Sequence, residues 1–263
     1  MERVTLTIEN GVAHVRLNRP EKRNGLDLPM FEAVAQTGQQ LVEDRSVRAV
    51  VLAGEGPAFC AGLDFKSFMS TPDAKDRLLA RIEGLPSNLA QDVAWVWQRV
   101  PVPVIAAIHG PCFGGGLQIA LGADMRIAAP DARLSVMEIE WGLIPDMGAS
   151  KTLLPLVRPD VARDLIFTGR IMDGTEAASL GIVTRVSDDP LAAATELATS
   201  IAGRSPEAIR GAKRVLVEAP SLSVHDAFGL EAELQGAILG SKNQMEAVMA
   251  KMQKRAPKFT DAQ

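Results

Sequence analysis

The sequence is short of the side chains on which several kinds of chemistry depend. Cys60 and Cys112 are its two cysteines, far apart and without a CxxC spacing, which excludes a thiolate zinc site and a disulfide scaffold. Both thiols are expected to stay reduced. Histidine is nearly as scarce, with His14, His109 and His225 the complete set. No apolar stretch is long enough to span a bilayer, and the opening MERVTLTIEN matches neither a secretory signal nor an Arg-rich transit peptide. The cytoplasm is therefore the expected compartment, with no membrane partner. Positive charge is not concentrated either: the formal net charge is -4. Lys75, Arg77 and Arg81 alternate with Asp73, Asp76 and Glu83, which argues against a nucleic-acid partner.

What is present suits a globular chain. Hydrophobic residues make up 47% and charged residues 23% of the 263 positions, enough for one large α/β domain or a core with a helical appendage. Residues Val4 to Ile8 and Val12 to Leu17 alternate apolar with polar around Asn10-Gly11, the pattern of a tight hairpin. Asp27 as cap and Pro29 in the first turn open a helix running toward Asp44. Val47 to Ala53 and Val102 to Ile108 are unbroken apolar runs, as strands covered on both faces should be. Residues 66–99 carry Pro72, Pro86 and irregular charge and are read as a mobile loop plus one helix. After about Asp189 the pattern is helical, with Ser205-Pro206-Glu207 a cap followed by first-turn proline.

The two apolar runs each feed a glycine loop. The first contains Ala58-Phe59-Cys60-Ala61-Gly62-Leu63-Asp64; the second, Gly110-Pro111-Cys112-Phe113-Gly114-Gly115-Gly116-Leu117-Gln118, leads into a helix from Leu117 to Leu121. Side-chain-free residues at a helix N-terminus leave N–H groups and a dipole that favour negative charge. One such loop is equally consistent with a simple chain turn. Two in order could form an oxyanion hole, in which fixed donors meet a carbonyl oxygen as charge develops. Phosphate-binding alternatives fail on spacing: Gly148-Ala149-Ser150-Lys151-Thr152 separates glycine from lysine by two residues, and Gly114 to Gly116 lack GxGxxG, so neither a Walker loop nor an NAD site is indicated.

These loops, with Asn18-Arg19-Pro20-Glu21-Lys22-Arg23-Asn24, Pro103-Val104-Ile105-Ala106-Ala107, Gly122-Ala123-Asp124-Met125-Arg126, Gly169-Arg170, Glu176-Ala177 and Gly181-Ile182-Val183, resemble the enoyl-CoA hydratase/isomerase or crotonase superfamily over nearly the whole chain. The resemblance implies a fold of the α/β class, a ClpP/crotonase-like ββα spiral core over residues 1–195 holding an acyl-CoA site. A C-terminal helical region over 196–263 would trim the site and mediate homotrimers or dimers of trimers. It implies that the N–H groups of Leu63 and Gly115 form the oxyanion hole. Lys22 and Arg23 are then candidates for the CoA nucleotide, and Ala61, Asp64 and Gln118 for substrate or CoA contact. No metal or redox cofactor is implied, coenzyme A being part of the substrate. Lys258-Phe259 resembles an element that can reach a neighbouring subunit's CoA and is left unassigned.

The acids bear on the reaction. Hydratases of the superfamily use two glutamates flanking a water. Glu138 matches the second, but Gln118 stands at the first, and an amide cannot act as a general base. Glu140 is as acidic as Glu138 by composition, so the choice between them rests on the resemblance. Asp146 lies eight residues after Glu138, the separation found in dienoyl-CoA isomerases of the superfamily, where paired carboxyls with divergent pKa values pass protons along a conjugated chain. Its alternative is a cap for the next helix. Those isomerases usually add a third acid where Gln118 stands. A nucleophilic Asp146, as in related aryl-CoA dehalogenases, would need a histidine base within residues 64–100, and none of the three histidines lies there; His109 is read as packed. The expected activity is double-bond isomerisation of an unsaturated acyl-CoA by Glu138 and Asp146, with enoyl-CoA hydration second and a non-catalytic acyl-CoA or RNA-binding role remote. The acyl pocket wall is expected in residues 65–99, with Trp95, Trp97 and Trp141 nearby.

Overall fold

The computed structural model describes residues 2–262. Asn10 and Gly11 take positive φ angles of 51° and 78°, a conformation that asparagine and glycine tolerate. They join β1 (Val4–Glu9) to β2 (Val12–Leu17) in antiparallel register. The Asp27 carboxylate accepts the Met30 N–H at 3.0 Å and opens α1 (Leu28–Glu43). β3 (Ala49–Gly54) starts two residues later than the apolar run, because the Val47 carbonyl is taken by the Arg210 guanidinium at 3.0 Å. Residues 66–99 hold more helix than expected, namely α2 (Phe65–Met69), α3 (Ala74–Leu79) and α4 (Leu89–Arg99). The first two are too short to display a period. α4 is opened by a reciprocal pair, Asn88 side chain to Gln91 N–H and Gln91 side chain to Asn88 N–H, a capping box.

β4 (Val104–Ile108) begins after Pro103, which has no N–H to give a ladder. It leads to β5 (Pro111–Phe113) and α5 (Gly115–Gly122), then β6 (Met125–Ala128) and β7 (Arg133–Ser135). A short 3-10 turn over Glu138–Trp141 precedes α6 (Ala149–Thr152), α7 (Pro159–Thr168), β8 (Met172–Asp173), α8 (Gly174–Ser179) and β9 (Arg185–Val186). Helices α9 (Pro190–Ala202), α10 (Pro206–Glu218), α11 (Val224–Ile238) and α12 (Lys242–Met252) complete the chain. At α10, Pro206 does sit in the first turn, but Ser205 donates its hydroxyl to Glu207 at 3.3 Å and accepts no backbone N–H.

The strands form a six-stranded sheet, ordered β1-β2-β3-β4-β6-β9 and parallel from β2 onward, and a three-stranded sheet, β5-β7-β8. Each turn of the chain therefore lays one strand in the large sheet and the next in the small one, β4 then β5, β6 then β7. The turn before them does the same in outline, since Cys60, just past β3, bridges Cys112 of β5. This is the ββα spiral that the resemblance implies. Alternation along β3 divides the core: Val50 and Leu52 join the cluster beneath α1, α4 and α5, while Ala49, Val51 and Ala53 join a smaller cluster under α9. The expected division after residue 195 falls inside α9, a helix packed on the sheet. The helices beyond it are tied on by Lys213, which is buried and donates to the Trp97 and Val102 carbonyls and to Asp124 at 2.9, 3.0 and 2.7 Å. The tail returns to its own chain, where Arg48 donates to the Phe259 carbonyl and Asp261.

Asn24 fixes the first glycine loop to the hairpin end. It is fully buried with φ 56°, its amide donates to the Glu55, Ala58 and Phe59 carbonyls at 2.9, 2.8 and 3.2 Å, and its oxygen accepts the Arg19 N–H at 2.8 Å. Asn24→Ala leaves these buried groups unpaired and is expected to lower the unfolding free energy by on the order of 3 kcal/mol. Urea denaturation measures this; a loss below about 1 kcal/mol would mean that water replaces the amide.

Candidate active site

The spiral sets the two glycine loops side by side. Cys60 donates its N–H to Pro111 and accepts one from Phe113, at 3.1 and 3.0 Å; Leu26 donates to Gly62 at 2.8 Å, and Gly114 to Ser135 at 2.9 Å. With these neighbours paired, the N–H groups of Leu63 and Gly115 are left without a partner among the described residues. Each follows a glycine with positive φ, 86° at Gly62 and 51° at Gly114, the region L side chains avoid. A methyl group on Gly62 would also meet the Phe113 carbonyl at 2.8 Å while lying 3.9 Å from the Gly115 nitrogen. The glycines are thus required by backbone conformation and by the close approach of the loops.

Leu63 and Gly115 line a chamber of about 470 Å³, together with Leu26, Phe31, Phe65, Phe68, Leu78 and Met147. Its ionisable wall residues are Glu138, Asp146 and Lys75. A smaller chamber of about 90 Å³ adjoins it, sharing Leu63, Gly115, Glu138, Phe65 and Leu143 and adding Ala61 and Trp141. Another cavity, about 540 Å³ between α4 and α10–α11, contains neither free donor and neither acid, so on chemistry the first chamber is the candidate site. Among the described residues no group of three or more His, Cys, Asp or Glu side chains is arranged to hold a metal ion.

Glu138 begins the 3-10 turn after β7, which turns its side chain inward while Ile139, Glu140 and Trp141 face out. Its Oε1 accepts the Gln118 amide at 2.6 Å, and its Oε2 is buried without a partner. Burial pushes the carboxyl above the ordinary glutamate range, Asp146 adding to the rise, against the hydrogen bonds from its own backbone and from Gln118. Asp146 stands at the chamber mouth. Its side chain is open to solvent, yet the surrounding protein still raises its carboxyl, chiefly by desolvation. It does not cap α6, whose cap is Gly148.

The remaining expected residues are distributed differently. Lys22 and Arg23 are exposed, beside the loop: the Arg23 carbonyl accepts the Ala61 N–H at 2.9 Å. Asp64 lines neither chamber; it caps α2 through Ser67 and pairs with Arg19 at 2.9 Å. Burial pulls its carboxyl up, but the bonds from Ser67 and Arg19 leave it lowered overall. Gln118 is fully buried behind Glu138, with its polar atoms spent on protein groups, and lines neither chamber. Glu140 is exposed, lying against Gly169. His109 is half-buried and bonded to the Gly56 carbonyl at 2.8 Å. Of the tryptophans only Trp141 reaches the site, stacked on Phe65 with centroids 4.3 Å apart; Trp97 is in the core and Trp95 lines the distant cavity. Leu26, Phe31 and Met147 were missed as wall residues because, in sequence, they are ordinary core positions.

An apolar chamber with free main-chain donors on one wall and two perturbed carboxyls on another defines an α/β enzyme built for proton transfer to and from an apolar substrate. The chain belongs to the enoyl-CoA hydratase/isomerase family, whose family model matches residues 7–262. It is 34% identical over 256 residues to a mitochondrial Delta(3,5)-Delta(2,4)-dienoyl-CoA isomerase of Mus musculus, covering 94% of this chain and 78% of the relative. It is 31% identical to the peroxisomal protein of that name from Arabidopsis thaliana, covering 98% and 96%. The crystal structure of an enoyl-CoA hydratase from Bacillus anthracis superposes with a TM-score of 0.89 at 29% identity, over 98% of both chains. The fold is the crotonase fold.

The raised Glu138 carboxyl has a stability consequence. The folded state holds this proton to higher pH than the unfolded chain does, so stability falls as pH rises from the unfolded to the folded pKa. Glu138→Gln is therefore expected to raise the melting temperature at neutral pH and to leave it unchanged below about pH 4. Calorimetry at both pH values checks the sign; a variant less stable at neutral pH would contradict the desolvated carboxyl.

Proposed function

We propose that the chain isomerises a double bond system of an unsaturated acyl-CoA, moving a 3,5-diene into 2,4-conjugation. One carboxylate of the Glu138–Asp146 pair takes the proton from C2. The C2–H electrons move into the chain, and the thioester oxygen gains negative charge beside the Leu63 and Gly115 N–H groups, each donor contributing on the order of 3 kcal/mol to lowering the barrier. The other carboxyl, in its acid form, gives a proton to C6. One C–H bond breaks and one forms, and passage of the proton between the carboxyls restores the pair. No metal or redox cofactor enters this scheme. The observation that carries the reading is two carboxyls with raised pKa values facing one apolar chamber beside the unpaired donors. The names of the mouse and Arabidopsis relatives support it.

The second reading is hydration of a 2-enoyl-CoA, favoured by the name of the Bacillus anthracis structure. It ranks lower because Gln118 offers no base for water. Lys22 and Arg23, exposed at the loop edge, suit the CoA phosphates. Assembly as a homotrimer would cover the exposed Leu216, Val224, Phe228 and Met252 of the C-terminal helices.

A panel of 3,5-dienoyl, 3-enoyl and 2-enoyl-CoA substrates tests the assignment. Glu138→Gln and Asp146→Asn are each expected to lower dienoyl isomerisation about 10²–10⁴-fold. Dominant loss of the 2-enoyl chromophore, dependent on Glu138 and indifferent to Asp146, would instead establish hydration.

A further inference from the structure

Gln118 stands on α5, one turn into the helix that begins at the second glycine loop, and is fully buried. Its amide is engaged on both sides, once through nitrogen and twice through oxygen. Nε2–H donates to Glu138 Oε1 at 2.6 Å, while Oε1 accepts the N–H groups of Met147 at 2.9 Å and Ala149 at 3.3 Å. The two backbone donors settle which end of the amide is oxygen, because a reversed amide would set N–H against N–H on one side and oxygen against oxygen on the other. A single side chain thereby joins the turn carrying Glu138 to both flanks of the segment that follows Asp146.

We propose that Gln118 is a positioning residue that fixes the Glu138 carboxyl and holds the two acids in a common register. The inference rests on the isomerase reading for its catalytic consequence, but the clamp itself is a matter of geometry. With Oε1 engaged, the other carboxylate oxygen, Oε2, is buried without a protein partner. An amide donates in every protonation state of its partner and cannot share a proton with it. A carboxyl at position 118 would bond to Glu138 only while one proton lay between them, and the two groups would then titrate as a pair. Gln118 thus reserves proton exchange for Glu138 and Asp146. The charged or titratable groups that face Glu138 across the chamber are Asp146 from the following loop and Lys75 from α3. Glu140 of the same turn faces away, and α5 contributes only the neutral amide.

Two variants separate this role from plain packing. Gln118→Met keeps side-chain length but removes the clamp, and kcat for 3,5-dienoyl-CoA is expected to fall about 10–100-fold with KM within about threefold, since Gln118 does not line the chamber. Amide hydrogen exchange at Met147 and Ala149 should accelerate. The midpoint of Glu138, followed by carboxyl carbon NMR, should rise on loss of a donor to its charged form. Gln118→Glu keeps shape and, while protonated, the donor; the single Glu138 titration should be replaced by two coupled steps, the second displaced to higher pH by the adjacent anion, with a matching change in the pH profile of activity. An unchanged Glu138 midpoint in Gln118→Met, with parental kcat and unchanged exchange, overturns the proposal. Should Gln118→Met fail to fold, a parental pH profile and a single unshifted Glu138 titration in Gln118→Glu overturn it alone. Full activity of Glu138→Gln would sink the isomerase reading, yet the NMR and exchange readouts would still decide whether the clamp exists.

Discussion

The site depends on two backbone N–H groups that stay unpaired while the backbone around them is paired. Buried donors without partners are rare because each forfeits its hydration. They persist here because alternatives are closed off. The Cys60–Cys112 bridge, the bond from Leu26 to Gly62 and the bond from Gly114 to Ser135 consume the adjacent groups. The glycines at 62 and 114 then turn Leu63 and Gly115 outward at φ values that other residues avoid. Leu63 and Gly115 are reached through successive turns of one spiral, so the same parallel stacking that builds the sheets sets the spacing of the donors.

Around that pair, the buried polar groups divide into those that hold the loops and those that face substrate. Asn24, Arg19 and Asp64 belong to the first kind: their hydrogen bonds run to carbonyls, caps and one another. Glu138 belongs to the second, since it lines both chambers. A carboxyl so placed costs stability as it ionises, and that cost is the physical reason it keeps its proton to higher pH than an exposed glutamate.

Much of this was legible in the sequence, for reasons that are local. Asn10-Gly11 announces a hairpin, the double-faced apolar runs announce buried strands, and the glycines ahead of Leu63 and Gly115 announce turned-out amides. Glu138 and Asp146 are implied by the family resemblance, and both line the chamber. Other residues are placed differently from the expectation where three-dimensional partners decide. Asp64 looked like part of a binding loop, but Arg19, 45 residues away in the chain, claims its carboxylate. Gln118 is expected at the substrate because it stands where hydratases of the family carry a glutamate, whereas its side chain bonds to Glu138, Met147 and Ala149. The tryptophans were grouped by proximity in sequence, and the fold sends Trp95, Trp97 and Trp141 to three different places. Phe31 could not be told from any other apolar position on α1.

The chamber has walls of unequal stiffness. On one side Leu26 and Phe31 belong to the main core and are fixed by the sheet beneath them. On the other stand α2 and α3, five and six residues long, lengths at which a helix has no stability of its own. Their position is set from outside, by the Asp64 cap, by the Arg77–Glu32 ion pair to α1 and by Phe68 and Leu78 packing into the core. Met69 and Leu79 on the same two helices line the chamber while exposed, so little buried area resists their displacement. Local opening is drawn from segments with few buried apolar contacts, and here that segment faces the space where an acyl chain would extend. Glu138 and Gly115 therefore sit on packed parts of the fold, and α2 and α3 form the more weakly held wall of the chamber.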